Sequence, residues 1–240
     1  MTAGSKLKIL SSHAALEALN ACGRRFEERL KCRLNIECDP THAMRRRIEE
    51  GESFDVALIA RSALDALADG GFVDRSSCVD IARCGLGVSV RHGAPKPDVS
   101  SVEAFRRTLL AAPRIVRSTD GVSGHYFVQM TERLGIAAEL QDRVILGPSG
   151  RVAEFVARGE ADLAVQQISE LLPVRGVDYV GPFPPELQLY TVFSAAVTNR
   201  NSSSNARALV SFLADRAQQG DFIAAGFEPI GDADQRKTSV

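Results

Sequence analysis

The sequence lacks any large excess of charge of one sign. Its 240 residues carry 29 Lys and Arg against 30 Asp and Glu, so the formal net charge is -1. Proteins that bind the phosphate backbone of nucleic acids usually carry a clear basic excess. We therefore expect no nucleic-acid partner.

Long apolar runs are also absent. No run approaches the roughly 18 to 20 apolar residues that a membrane-spanning helix requires, so we expect no membrane insertion. The N-terminal stretch MTAGSKLKILSS has no apolar core followed by a small-residue cleavage site, as a secretory signal would have. The sequence as given predicts a cytoplasmic protein, or a periplasmic one whose signal has been removed.

Metal-binding and common catalytic motifs are missing as well. The 5 cysteines are an odd number without a CxxC pair, and neither they nor the 4 histidines have the spacing of a zinc site. We interpret the cysteines as buried, inert thiols and expect no metal and no cofactor. The patterns GxSxG, GxxxxGKS/T and HExxH do not occur, which removes the usual hydrolase, nucleotide-phosphate and zinc-protease interpretations.

Strands and helices alternate along the chain. Apolar periodicity predicts strands at 7–10, 33–38 and 54–60 with helical patterns between them, and the apolar stretch FDVALIA is typical of the interior of a parallel sheet. This alternation indicates an α/β fold. We also expect long strands at 81–90 and 187–197 and a disordered tail over 231–240.

Four predicted strands end in small or polar residues that lead into a helix, at 11–13, 39–42, 118–124 and 149–151. Open parallel sheets bind ligands at the carboxyl ends of their strands, and uncovered N–H groups at helix N-termini favour anions. Ordinary helix capping explains any one such turn equally well. Because the pattern recurs, it predicts one cleft lined by these turns and occupied by a small anion. In the third turn we expect a helix from His125, with Ser123 and the N–H groups of Gly124 and His125 as donors.

Most of the histidines fall in these turns, and only His92 lies elsewhere. Near neutral pH an imidazole can donate a hydrogen bond to an anion or move a proton. For any single histidine a solvated or capping role is the alternative. The three in the turns are His13, His42 and His125.

Two arginines, Arg117 and Arg151, lie at the same strand ends. A guanidinium binds a carboxylate through two parallel hydrogen bonds. The alternative for each is a solvated surface charge. We favour Arg151 as a ligand contact because it adjoins a Ser-Gly turn.

Four segments carry a resemblance to a known family: the first strand with SSH, the turn before MRRRIEEGESFDVALIA, VSGHYF, and GEADLAVQQ. Together they resemble the periplasmic substrate-binding proteins of the molybdate-binding type, over about residues 6–229. The resemblance implies a type II periplasmic-binding-protein fold, with two doubly wound α/β lobes joined by two crossover strands. Lobe I would comprise 1–82 and 191–240 and lobe II 83–190, with hinges near 81–86 and 187–193. It also implies a monomer that binds a small anion between the lobes, with an ABC transporter permease as a possible partner.

Matching the family's anion-binding turns position by position gives the predicted contacts Ser11, Ser12, Thr41, His42, Ser123, Gly124, Ser149 and Gln167. Gln167 stands where the molybdate binders place a tyrosine. The chain departs from the uncharged site of those proteins by adding His13, His125, Arg151 and Gln166 to the predicted contacts. Extra donors and positive charge favour a larger, carboxylate-bearing ligand over a molybdate-like oxyanion.

The chain is also similar to aconitate isomerase, an enzyme on this fold that moves a proton between carbons of an unsaturated tricarboxylate. Such a reaction needs a base and donors for the developing negative charge, and His13 or His125 would be the catalytic group. We favour a solute-binding protein and keep the isomerase as the alternative. A ligand-sensing module is a third possibility, for which no fused effector domain is visible.

Overall fold

The structure is a computed structural model that describes residues 6–200 and 202–230. The chain divides into two units: unit 1 holds residues up to Arg83 and from Thr191 onward, and unit 2 holds Cys84–Tyr190. The tail expected over 231–240 lies outside the described residues. Among the helices that are described, none combines the length and apolarity needed to cross a membrane.

Unit 1 is built on a five-stranded sheet in the order β2-β1-β3-β10-β4, flanked by helices. The strands β1, β2 and β3 run parallel, whereas β10 is antiparallel to β3. Its elements are β1 (Lys6–Ser12), α1 (Leu16–Leu30), β2 (Arg33–Asp39), α2 (Thr41–Glu49), β3 (Val56–Ala60), α3 (Arg61–Asp69), β4 (Val79–Cys84), β10 (Thr191–Val197), α9 (Ser204–Ala214) and α10 (Gln219–Ala224).

Unit 2 is built on a second five-stranded sheet in the order β7-β6-β8-β5-β9. Here β6, β7 and β8 run parallel, and β5 is antiparallel to both β8 and β9. Its elements are β5 (Leu86–Arg91), α4 (Val102–Ala111), β6 (Ile115–Ser118), α5 (Val122–Arg133), α6 (Ala137–Leu140), β7 (Val144–Gly147), α7 (Val152–Ala157), β8 (Leu163–Gln167), α8 (Ile168–Leu171) and β9 (Val177–Pro182).

Apolar side chains account for the packing within each unit. Every residue of β3 is buried, as its unbroken apolar sequence predicts for an interior strand. In unit 2, one sheet face packs against α4 and α5 through Phe105, Phe127 and Met130. The other face packs against α7 through Val152 and Val156. The predicted α/β class is therefore confirmed, with two mixed sheets.

Several predicted elements have different bounds in the structure. The strand expected over 81–90 is broken at Gly85, where the Gln188 side chain packs so closely that a Cβ would lie 3.0 Å from it. The Gln188 amide accepts from the Leu86 N–H at 2.7 Å and donates to the Leu86 carbonyl at 2.9 Å. The strand expected from 187 begins only at Thr191. Leu187 and Leu189 extend the apolar alternation before Thr191, but Pro185–Leu187 form a 3-10 turn and the Gln188 side chain bonds to Leu86, so the strand starts later.

Two differences change the surroundings of predicted site residues. Helix α5 begins at Val122 rather than His125, so Ser123 lies inside its first turn. Strand β8 extends to Gln167, so the glutamine pair belongs to the sheet and not to the turn after it. In both places the small or polar side chains predict a loop. The backbone hydrogen bonds of the helix and of the sheet nevertheless continue through them.

Candidate functional site

The polar edge of unit 1 lies at the carboxyl ends of β1 and β2. These strands are parallel and in register, so Ser12 pairs with Asp39 across the sheet. The turn after β1 and the turn after β2 are therefore neighbours. This brings Ser11, Ser12 and His13 to the same edge as Thr41 and His42, as their common position after strands predicts.

The adjacent hydroxyls of Ser11 and Ser12 differ in their partners. Both side chains are buried, with exposures of 0% for Ser11 and 4% for Ser12. The Ser11 hydroxyl lies 3.1 Å from the Leu58 carbonyl and donates to the backbone. The Ser12 hydroxyl has no hydrogen-bond partner among the described residues. A buried hydroxyl without a partner is costly, so Ser12 is the donor in this edge that a ligand would satisfy.

The other predicted contacts of unit 1 lie in the turns that follow β1 and β2. His13 begins a short 3-10 turn and is half-buried, whereas His42 is exposed in the first turn of α2. Helix α2 starts after Pro40, which provides no side-chain capping hydrogen bond. Its first N–H groups and the positive end of its dipole are thus uncovered at this edge, and half-buried Thr41 stands beside them.

The nearby charges of unit 1 neutralise one another. Arg47 donates to Glu52 at 2.6 Å and to Asp39 at 2.7 Å, and it also contacts Glu37. Lys8 donates to Glu52 at 2.6 Å. Hydrogen bonds from Arg47, and then from Lys8, lower the pKa of Glu52 to about 2. These cations are engaged by carboxylates and are poor candidates for ligand contacts.

The polar edge of unit 2 lies at the carboxyl ends of β6 and β7. Ser118 pairs with Gly147 across these strands, and the Thr119 N–H donates to the Gly147 carbonyl at 2.9 Å. The Ser118 and Ser123 hydroxyls form a buried pair at 3.3 Å. The Ser149 hydroxyl donates to the Asp120 carboxylate at 2.9 Å. The two polar turns of this unit are thus brought together, as predicted, but their hydroxyls bond to one another and to an acid.

Two glycines make this close approach possible. A Cβ on Gly121 would lie 2.7 Å from the Ser118 hydroxyl oxygen and 2.8 Å from that of Ser149. A Cβ on Gly124 would lie 1.9 Å from the Ser118 carbonyl oxygen. The N–H groups of Gly124 and His125 both donate to the Gly121 carbonyl, at 3.0 and 3.1 Å, so they are engaged within the first turn of α5, and their contact with a ligand stays a prediction. Exposed His125 projects from the first turn of α5.

The two arginines at this edge have opposite environments. Arg151 is exposed, at 67%, and forms a two-armed ion pair with Glu154 at 3.0 and 3.1 Å. Arg117 is half-buried, and its guanidinium donates to the Ser118 carbonyl at 2.9 Å. No carboxylate partner accompanies Arg117 among the described residues, and burial alone lowers its pKa. A ligand carboxylate would have to displace Glu154 from Arg151, whereas Arg117 offers an uncompensated charge.

The glutamine pair ends β8 beside these turns. Gln166 is 1% exposed, and neither amide atom has a hydrogen bond of normal geometry among the described residues. One helical turn later, burial raises the pKa of Glu170 to about 7, and the nearby Gln166 amide offsets part of that rise. Gln167 is also buried, at the end of the strand. Of this pair, the Gln166 amide is the group without partners of normal geometry in the described part of the chain.

The structure thus places Ser11, Ser12, His13, Thr41 and His42 at one strand edge and the remaining predicted contacts in unit 2. Sequence reasoning missed Ser118 and Asp120 and ranked Arg117 behind Arg151. The strand IVRS carried a usable signal, since alternation puts Ser118 on the buried side and a charged residue within a strand needs a partner. Across residues 6–200 and 202–230, no group of three or more His, Cys, Asp and Glu side chains is arranged to hold a metal.

Comparisons with known proteins agree on a family. The family described as bacterial extracellular solute-binding protein matches residues 7–228. Aconitate isomerase of a Pseudomonas species is 33% identical, over 93% of this chain and 88% of that enzyme.

Solved structures with the same fold include two anion-binding proteins. The periplasmic molybdate-binding protein of Azotobacter vinelandii has a TM-score of 0.78 at 20% identity, covering 94% of this chain and 100% of that one. The sulfate-binding protein of Mycobacterium tuberculosis has a TM-score of 0.73 at 16% identity, covering 97% of this chain and 90% of that one. At these identities the likeness establishes the periplasmic-binding-protein fold alone.

Proposed function

Because this chain belongs to the bacterial extracellular solute-binding protein family, we propose that it binds a small organic acid with two or three carboxylates. The observation that carries the proposal is Arg117, a half-buried guanidinium with no carboxylate partner among the described residues. An unpaired buried charge is strongly unfavourable, and a ligand carboxylate would compensate it. Guanidinium and carboxylate geometries match through two parallel hydrogen bonds.

Unit 1 offers neutral donors of its own that suit an anionic ligand. The Ser12 hydroxyl has no partner, and the uncapped N-terminus of α2 offers N–H groups at the same edge of unit 1. Helix N-termini and hydroxyls suit any anion, including a tetrahedral oxyanion. The unpaired arginine favours carboxylates over molybdate or sulfate, which are the printed ligands of the solved proteins described above.

Thermal shift tests the ligand class. A ligand that binds only the folded protein raises its melting temperature. We expect trans-aconitate, citrate and other polycarboxylates to raise it, and molybdate, sulfate and chloride at equal ionic strength to leave it nearly unchanged. If only molybdate or sulfate raised the melting temperature, the ligand would be an oxyanion and not a carboxylate. If no anion raised it, the proposal of an anion-binding protein would be wrong.

A second function, isomerisation of aconitate, is favoured by the 33% identity to aconitate isomerase over nearly the whole chain. It requires a base that takes a proton from a carbon beside a carboxylate and returns it to another carbon, with donors for the transient negative charge. His13 follows Ser12 directly, at the edge with the unsatisfied hydroxyl, and is our preferred base. His125 is the other candidate.

Binding and isomerisation share a ligand and differ in turnover. Proton NMR of cis-aconitate incubated with the protein would show growth of the trans signals if the protein is an isomerase. His13→Ala or His125→Ala should then abolish turnover, while His92→Ala, at an exposed histidine bonded to Asp178, should retain it. Saturable binding without conversion would leave a solute-binding protein, for which we expect an ABC-type permease as partner and a periplasmic location.

A further inference from the structure

A groove of about 630 Å³ lies in unit 2, at the sheet edge opposite the polar turns. The parallel strands β6 and β8 begin at this edge, with Ile115 paired to Leu163, and the antiparallel β5 ends there at Arg91. The volume lies within the roughly 300–1,000 Å³ typical of small-molecule sites. None of the predicted site residues lines this groove.

Short side chains create the space. Helix α4 and the segments before β6 and β8 present alanines to the groove, and the loop after β5 contributes Pro95 and Pro97. Because these side chains are small or rigid, they leave a cavity with an apolar floor without exposing a large hydrophobic residue. The alanines are Ala94, Ala104, Ala111, Ala112 and Ala161.

The charges around the groove are nearly balanced, with one exception. Arg114 pairs with Asp162 at 3.4 Å and donates to the Gly159 carbonyl at 3.1 Å. The Asp98 carboxylate accepts from Ser100, which is the main cause of its lowered pKa, and Arg107 adds a smaller electrostatic contribution.

Arg91 is the exception. Its exposed side chain has no hydrogen bond or ion pair in the part of the chain that the structure describes, and its guanidinium lies beside Gly159. Of the three lining arginines, Arg114 pairs with Asp162 and Arg107 lies 3.6 Å from Glu103, so Arg91 is the one without an acidic partner among the described residues. An occupant that complements both the apolar floor and this cation needs an apolar body and one negative group.

We propose that this groove binds a small amphipathic monocarboxylate, with its chain over the alanines of α4 and its carboxylate on Arg91. An aliphatic or aryl chain removes apolar surface from water, which supplies most of the binding free energy. The charge-assisted bond to Arg91 fixes the orientation of the carboxylate. The site is separate from the polar edges and does not depend on the function proposed above.

Isothermal titration calorimetry with octanoate tests this site. We expect one molecule of octanoate to bind per chain, with octanol weaker because it lacks the charge. Arg91→Ala should weaken octanoate binding about fivefold to tenfold, as expected for loss of one bond to a charged group. Arg133→Ala is the matched control, since Arg133 is an exposed arginine on α5 without a partner in the described residues, and it should bind octanoate normally.

A second variant tests the groove by filling it, without changing its charge. Ala111 is exposed at the end of α4, so Ala111→Phe should fold normally and fill the groove, which would abolish octanoate binding. Unaltered binding in both Arg91→Ala and Ala111→Phe would overturn the proposal, as would no binding of octanoate at all. Competition between octanoate and trans-aconitate would also contradict it, because it would place octanoate at the polar edges instead.

Discussion

The polar edges of the two units differ in which kind of group lacks a partner among the described residues. In unit 1 the charges of Lys8, Arg47 and Glu52 are paired, while the buried Ser12 hydroxyl has no partner among the described residues. At the polar edge of unit 2 the buried hydroxyls are paired, through Ser118 with Ser123 and Ser149 with Asp120.

At this edge the group without a carboxylate partner among the described residues is a charge, that of half-buried Arg117. One edge therefore offers a neutral donor and the other a cation. A cation such as that of Arg117 favours a carboxylate, whereas the neutral donor of unit 1 suits any anion, including a plain oxyanion. The same strand, turn and helix arrangement thus serves two different chemical roles.

The largest effect should come from breaking the hydroxyl cluster of unit 2. Gly124→Ala places a Cβ 1.9 Å from the Ser118 carbonyl oxygen, so the turn before α5 must move. We expect a loss of about 3 kcal/mol or more in the free energy of unfolding, measured by urea denaturation. Gly220→Ala is the control, since a Cβ there meets nothing within 4 Å and replaces glycine in a helix. A Gly124→Ala protein as stable as Gly220→Ala would contradict the close packing described for this turn.

A second prediction concerns the buried acid beside Gln166. The pKa of Glu170 is raised to about 7, so the folded state holds its proton more tightly than the unfolded state, in which a glutamate titrates near pH 4.3. Stability should therefore fall as pH rises from about 4.3 to 7, by at most about 4 kcal/mol.

Glu170→Gln removes this titration and should stabilise the protein above pH 7. Urea unfolding from pH 4.5 to 8 measures the effect, with exposed Glu132→Gln as the control. A parallel pH profile in Glu170→Gln and the native protein would show that Glu170 is not desolvated.

The charge network of unit 1 should have the opposite pH dependence. Arg47 lowers the pKa of Glu52 to about 2, so the stability from this pair is present above about pH 4.5 and is lost as pH falls toward 2. Arg47→Met should cost about 1–2 kcal/mol at pH 7, because the network is partly screened by solvent, and should flatten the profile between pH 4.5 and 2.

Acid titrations of stability, followed by circular dichroism, measure this difference. Arg45→Met breaks an exposed pair with Glu49 on the same helix and should change little. Equal effects of the two substitutions would mean that Arg47 is no more than a surface charge.

The smallest effect on stability separates the two adjacent serines. Ser11→Ala removes the hydrogen bond to the Leu58 carbonyl and should cost about 1 kcal/mol of stability with little change in ligand affinity. Ser12→Ala removes a buried hydroxyl that has no partner, so stability should be unchanged or slightly higher while ligand affinity falls about fivefold. Melting curves with and without trans-aconitate distinguish the pair. If Ser11→Ala lowered ligand affinity and Ser12→Ala lowered stability, the hydroxyl that binds the ligand would be that of Ser11.

The sequence supports the fold better than it supports individual contacts. Apolar runs such as FDVALIA depend on burial alone, which is why they predict the parallel strands correctly. Partner choice depends on side chains far apart in sequence, and periodicity carries no information about it. Asp120 and Ser149, which share a hydrogen bond, are 29 positions apart in the sequence. The Ser-Gly turn beside Arg151 looked like a carboxylate site, but Glu154, three residues on in α7, takes that guanidinium.

Strand ends were the other weak point. Gln166 and Gln167 are polar, and the pattern therefore ended β8 too early, although backbone pairing with Leu86 and Gly87 continues through both. The hinge positions and the assignment of ligand contacts remain predictions.

Calorimetric titration of trans-aconitate into Arg117→Ala and Arg151→Ala tests the central claim most directly. Loss of a carboxylate bond from half-buried Arg117 should weaken binding tenfold or more, an effect of about 1.5–3 kcal/mol. Arg151 is already paired with Glu154, so Arg151→Ala should bind within about twofold of the native protein. Melting temperatures close to that of the native protein establish that both variants are folded. Normal affinity in Arg117→Ala with lost affinity in Arg151→Ala would contradict the assignment of Arg117, and molybdate binding without trans-aconitate binding would contradict the carboxylate ligand itself.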